Sequence, residues 1–237
     1  MNTGKPSAAE APPAGASAIL ADLNPQQQAA VLHPAGPLLI IAGAGTGKTT
    51  VITRRIAWLI ATKRARPEEV LALTFTEKAA AEMEERVDLL VPYGYLDVTL
   101  KTFHAFADQL LREHALHTGR SPQFRVLTQA EQLVFLRQHV FELPLQQFRP
   151  LHDPARFLEA LTTVFSRAKD EAVGPEEFAA CAQELERQSA TGSDESLRAQ
   201  ALRLRELAEG YAAYERLLQQ TDAVDFGNQV LLAIRLL

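Results

Sequence analysis

Eight consecutive residues stand out for the chemistry their types allow: Ala42-Gly43-Ala44-Gly45-Thr46-Gly47-Lys48-Thr49. Small residues let backbone N–H groups curl around a phosphate, the lysine reaches outer phosphates, and the hydroxyl stands where a Mg²⁺ ligand belongs. Ala42 takes the place of the first glycine of that loop pattern. The bland alternative is a glycine-rich turn that happens to precede Lys-Thr. Context favours the loop. Leu38 to Ala42 is a continuous apolar run of strand length, and helical periodicity follows from about Lys48 to Lys63. A helix starting there adds its dipole to the anion site. These residues predict nucleotide binding, with Lys48 on the β- and γ-phosphates and Thr49 on Mg²⁺.

The elements that must hold this loop follow from the same pattern. Asn24 suits an N-cap and Pro25 a first helical position, so a short helix begins there and breaks at His33-Pro34. Val51, Ile52, Ile56, Leu59 and Ile60 give the next helix its apolar side. Val70 to Phe75 reads as a second buried strand, Glu77 to Leu90 as a helix, and Val98 to Leu100 as a third short strand after a turn at Pro92–Gly94. This order predicts a parallel α/β sheet. Beyond it the pattern turns helical: His104 to His117, a capped helix from Thr128 with Glu131, others from Asp153-Pro154 and Pro175, and a long one over Glu195 to Gln220.

With 47% hydrophobic and 22% charged residues, the chain of 237 is neither disordered throughout, collagenous nor a coiled-coil rod. The longest apolar run, Pro37 to Ala44, is too short to span a bilayer, so no membrane association is expected. Cys181 has no cysteine to pair with, which suits a reducing, cytoplasmic setting. The charge of 24 − 29 = −5 excludes bulk attraction to nucleic acid, so any such contact must be local. The first 18 residues, mostly Ala, Pro, Gly and Ser, read as a disordered tail without a secretory signal.

Three further segments bear on the class. Leu23-Asn24-Pro25-Gln26-Gln27-Gln28 lies upstream of the loop, and Thr74-Phe75-Thr76-Glu77-Lys78-Ala79-Ala80-Ala81-Glu82-Met83 and Thr102-Phe103-His104-Ala105-Phe106 lie downstream. With the loop, in this order and spacing, the chain from about Leu23 onward resembles the UvrD/Rep-like DNA helicases of superfamily 1, in their first RecA-like domain. The resemblance implies a P-loop α/β fold with an inserted all-helical subdomain, ATP and Mg²⁺ as cofactors, and single-stranded DNA or duplex junctions as partners. It implies ATP binding by Gln27 and by Ala42 through Thr50, with Gln27 reading the adenine edge. It makes Lys48 and Thr49 the catalytic pair. It implies a single-strand path lined by Thr74, Phe75 and Thr76 and by Thr102, Phe103 and His104, the hydroxyl and imidazole groups donating to phosphates. Taken alone, Gln27 reads as a solvated helix residue, Phe75 as core and Thr76 as a helix cap.

The boundaries that follow are a tail over 1–18, a RecA-like ATP-binding part over 19–115, a helical insertion over 116–222 and a return to the RecA-like domain over 223–237. There are departures. Many members have asparagine at the place of Glu77 and arginine at that of Thr50. No apolar strand here ends in the Asp-Glu pair that would hold Mg²⁺ and polarise water; Asp170-Glu171 follows a polar helix end. The apolar close at Leu236-Leu237 reads as a truncation. The 237-residue chain is therefore expected to lack DNA-stimulated ATPase activity by itself, while the parent protein unwinds DNA. The alternatives are a helicase–nuclease subunit of the same family, a non-catalytic nucleotide-binding module, and, third, a small-molecule kinase. His114 and His117 lack a third ligand for zinc, and Arg203, Arg205 and Arg216 read as a solvated helix face.

Overall fold

The computed structural model describes residues 16–91, 97–191 and 194–237, in two compact units divided after Phe103. The expected tail up to residue 15 and the expected turn at Pro92–Gly94 lie outside the described residues. Among the described residues no helix is long and apolar enough to cross a membrane.

The first unit opens with α1 (Ala16–Leu20), which begins within the stretch read as tail. Its apolar residues explain this, because Ile19 and Leu23 are buried against Val31, Val51 and Trp58. Asn24 caps α2 (Pro25–Leu32) through a reciprocal box with Gln27. The long helix α3 (Lys48–Ala61) follows the glycine-rich loop and packs on two sides rather than one. Val51, Ala57 and Trp58 meet α1 and α2, whereas Ile56 and Ile60 meet Val87 and the strand residues Ala72 and Leu100. Two packed sides leave Ile52 exposed. Strands β1 (Leu71–Thr74) and β2 (Thr99–Thr102) pair in parallel, Thr74 opposite Thr102, with α4 (Glu77–Asp88) between them in sequence.

The strand expected over Leu38 to Ala42 is absent. The segment carries no ladder, and Leu39 and Ile41 are 84% and 91% exposed. A strand exists only by pairing its backbone with a neighbour, and among the described residues β1 and β2 pair only with each other. Apolar sequence alone cannot supply that partner.

The second unit continues from α5 (Phe103–Glu113), which runs across the division. It contains β3 (Arg125–Leu127), α6 (Gln129–Gln138), α7 (Leu158–Asp170), α8 (Pro175–Thr191), α9 (Glu195–Gln220), β4 (Ala223–Asp225) and α10 (Phe226–Leu236). The box of Thr128 with Glu131 caps α6 as its spacing requires. Asp153-Pro154 starts no helix. Residues there form turns, with the Arg156 N–H donating to the Asp153 carbonyl at 3.2 Å, and α7 begins only at Leu158. The core joins Leu136, Phe165, Tyr211, Tyr214 and Leu218, with the Phe165 ring stacked on Tyr211 at 5.1 Å and on Tyr214 at 5.5 Å. Strand β4 pairs in parallel with β3, a link across nearly a hundred residues that no local pattern announces.

Asp225 closes that strand and caps α10 by accepting from the Asn228 N–H at 2.8 Å. Its other oxygen accepts from Lys169 Nζ at 2.5 Å, Gln132 Nε2 at 2.7 Å and Tyr214 at 2.9 Å, and Lys169 also meets Glu215 at 2.6 Å. Lys169 is wholly buried, and its stem runs so close to Gly227 that a Cβ there would lie 2.7 Å from Lys169 Cδ. Burial pushes the Asp225 carboxyl up. The Lys169 charge and the hydrogen bonds outweigh that and hold it below its ordinary 3.8. Asp225 therefore stabilises the folded unit above that value, and this support is lost as pH falls through the lowered one. Lys169→Met, which strands two carboxylates, is expected to cost about 3–5 kcal/mol near neutral pH. The cost should shrink on acidification below about pH 5, because the unpaired carboxyls of the variant take up protons sooner. Denaturant unfolding followed by circular dichroism at several pH values checks both size and sign.

Candidate functional site

The loop before α3 owes its shape to glycine. Gly45 and Gly47 have φ of 75° and 83°, a region costly for other residues, and Gly47 is the residue from which α3 departs. A Cβ on Gly47 would also lie 2.9 Å from Gln27 Nε2. The loop closes on itself: Lys48 Nζ donates to the carbonyls of Ala42 at 3.0 Å and Gly43 at 2.6 Å, and the Thr46 hydroxyl donates to Gly43 at 2.8 Å. Lys48 is exposed, while Thr49 and Thr50 are half-buried in the first turn of α3. An ammonium held at a cluster of exposed carbonyls is ready to exchange them for an anion, to which its attraction is stronger.

Gln27 lies beside this loop. Its Oε1 accepts from the Asn24 N–H at 3.0 Å and its Nε2 donates to the Thr46 carbonyl at 3.1 Å. One N–H and one lone pair of the amide remain for another partner. The sequence segments around Asn24 and Ala42 to Thr50 are thus physically joined.

The carboxyl ends of β1 and β2 carry the next group. The parallel register that sets Thr74 opposite Thr102 brings Phe75 and Phe103 together just past the strands, ring centres 5.2 Å apart. Phe75 is 88% exposed and Phe103 42%, so these rings are not core. Thr76 caps α4, its hydroxyl accepting from the Ala79 N–H at 3.1 Å. Thr102 is only 5% exposed and donates its hydroxyl to Glu77 Oε1 at 2.9 Å, tying the end of β2 to the start of α4. Glu77, which the sequence reads as a helix-start carboxylate with no DNA role, stands in the first turn of α4 and also acts as a brace.

In the second unit, exposed His104 meets the Phe226 ring edge-on at 5.6 Å. Phe226 lines a cavity of about 310 Å³ with Gln132, Thr162, Ser166 and Arg167. The sequence reads Phe226 as part of the apolar periodicity of the last helix, whereas its ring is half-exposed directly after the buried Asp225. No group of three or more metal-ligating side chains occurs among the described residues, His114 and His117 included.

The chain belongs to the UvrD/REP helicase N-terminal domain family, whose model matches residues 23–237. It is 35% identical over 219 residues to the ATP-dependent DNA helicase PcrA of Bacillus subtilis (strain 168), covering 92% of this chain and 26% of that protein. It is similar at 36% identity over 214 residues to a probable DNA helicase II homolog of Rickettsia felis (strain ATCC VR-1525 / URRWXCal2), covering 88% and 29%. The ATP-dependent DNA helicase UvrD1 of Mycobacterium tuberculosis (strain ATCC 25618 / H37Rv) is 35% identical over 221 residues, with 92% and 26% covered. The chain spans little more than a quarter of the length of these relatives. The mixed architecture of helices and small parallel sheets is consistent with the RecA-like domain of that family.

Proposed function

We propose that this chain is the ATP- and DNA-binding first part of an ATP-dependent DNA helicase that moves along single strands. The observation that carries this reading is the self-closed loop at the start of α3, with Lys48 on two exposed carbonyls and the Gln27 amide docked against Thr46, in a chain of this family. We read residues 19–115 with 223–237 as RecA-like and 116–222 as an inserted helical subdomain. The names of the relatives, ATP-dependent DNA helicases, support the activity.

ATP binds with its phosphates in the loop from Ala42 to Thr50. Lys48 leaves the Ala42 and Gly43 carbonyls for the β- and γ-phosphates, and backbone N–H groups at the start of α3 face the charge. The remaining N–H and lone pair of Gln27 match the acceptor N7 and donor N6 of adenine. Mg²⁺ fits in part: the Thr49 hydroxyl in the first turn of α3 would be the ligand this loop offers it beside the phosphates. When bound, it neutralises charge on the phosphate oxygens. DNA bases stack on Phe75 and Phe103 past the strand ends, where ligands of open α/β sheets gather. His104, steadied by Phe226, donates to a phosphate. Thr74, Thr76 and Thr102 shape this surface, Thr76 through its cap and Thr102 through Glu77.

Two measurements test the reading. Lys48→Ala should abolish ATP binding in titration while thermal unfolding stays within about 0.5 kcal/mol of the parent, because an exposed side chain is removed; equal ATP affinity would sink the site. Single-stranded DNA should bind weakly and with a shallow salt dependence, given the net charge of −5. Phe75→Ala should weaken it by about 1–3 kcal/mol in anisotropy titrations, the worth of one stacked base. Tight binding that falls steeply with salt would point to a basic surface elsewhere.

A further inference from the structure

Two adjacent arginines of α3 reach back to the ends of the helices before it. Arg54 donates to the carbonyls of Ala18 and Ile19, at the end of α1. Arg55 grips the end of α2: its Nη1 donates to the Val31 carbonyl at 2.9 Å and the His33 carbonyl at 2.7 Å. The carbonyls of Ala30 at 3.5 Å and Pro34 at 3.4 Å also lie within its reach. A helix of eight residues leaves its last four carbonyls without intrahelical partners, half of all it has. A guanidinium is suited to that end, since it carries several donors in one plane and a charge that opposes the dipole.

The position of Arg55 gives this grip a consequence. It stands two turns along the same rigid helix whose first residue is Lys48. The helix it grips bears Gln27 in its first turn. The two groups that read opposite ends of a nucleotide are therefore tied to one another by this grip, which adds direction to the apolar packing of Val31 on Val51, Ala57 and Trp58. At the other end, the bond from Gln27 to Thr46 spans the gap.

We infer that Arg55 is a positioning residue for base recognition: it registers α2 against α3 so that the Gln27 amide meets the adenine of a nucleotide held by the loop. This rests on the nucleotide reading above. Arg55 itself touches no ligand. Its loss should remove the contribution of the base and spare that of the phosphates.

The test compares ATP with inorganic tripolyphosphate, a probe without a base, by calorimetry on the full-length protein. Arg55→Gln should lower ATP affinity about tenfold, the worth of one charged hydrogen-bonding group, and leave tripolyphosphate within about twofold. Arg55→Lys, which keeps the charge but not the fork, should lose about threefold for ATP. Arg54→Gln removes a similar grip from α1, which carries no ligand group, and should leave the ratio of the two affinities unchanged. In a Gln27→Ala background, Arg55→Gln should have no further effect on that ratio. Parallel loss of ATP and tripolyphosphate affinity, or an unchanged ratio in folded Arg55→Gln, overturns the inference. Should that variant fail to fold, an unchanged ratio in Arg55→Lys does so. If Gln27→Ala alone leaves the ratio unchanged, base reading by Gln27 fails and Arg55 with it; if only the arginine variants leave it unchanged, the role of Arg55 alone falls.

Discussion

A helix leaves its first four N–H groups and last four carbonyls without internal partners, and the candidate site is built where those groups are met. Gln27 lies in the capping box of α2, Lys48 and Thr49 in the first turn of α3, Thr76 at the cap of α4, and Phe226 directly after the cap of α10. At α2, α4 and α10 the side chain that caps the helix also fixes the site residue at or beside it, whereas α3 starts from Gly47 without a side-chain cap. Short elements make this requirement dominant. In α2, with eight residues, half of the carbonyls lie in the last turn, so Asn24 closes one end of the helix and Arg55 grips the other. Its apolar contribution is mainly Val31.

The second unit meets the requirement differently. Asp225 is both a helix cap and the centre of a buried charge cluster, so the placement of Phe226 depends on Lys169 some fifty residues earlier. Buried ion pairs add little net stability, since desolvation offsets attraction. They do specify geometry: the carboxylate meets lysine, glutamine and tyrosine donors only in one arrangement of α6, α7 and α9. The close pass of Lys169 over Gly227 tightens that choice.

Local chemistry was legible in the sequence and pairing at a distance was not. Asn24 with Pro25, Thr128 with Glu131, and the limits of the long helix over Glu195 to Gln220 follow from side chains acting on nearby backbone. Strand β4 has three residues and exists through β3, far away in sequence. Asp153-Pro154 carries a start signal, yet turns occupy the segment up to Leu158. Of the site, the loop from Ala42 to Thr49 could be read because its parts are contiguous. Gln27 stood out only through resemblance to a family, since a solvated glutamine looks the same. The grip of Arg55 and the brace between Glu77 and Thr102 leave no periodic mark, for they join a side chain to whatever backbone or carboxylate the fold brings near.

The exposed run Leu38-Leu39-Ile40-Ile41 has a consequence for handling the protein. It joins high strand propensity to a lack of charge, with backbone groups outside any ladder, the composition that seeds intermolecular cross-β contact. Punctuation on both sides limits it. Pro34, Gly36 and Pro37 precede it and Gly43 and Gly45 follow, so a ladder begun there cannot lengthen into its neighbours. A charge placed at Leu39 or Ile41 then acts on solubility at a stretch where apolar side chains and bare backbone coincide, a few residues from the loop that Lys48 closes.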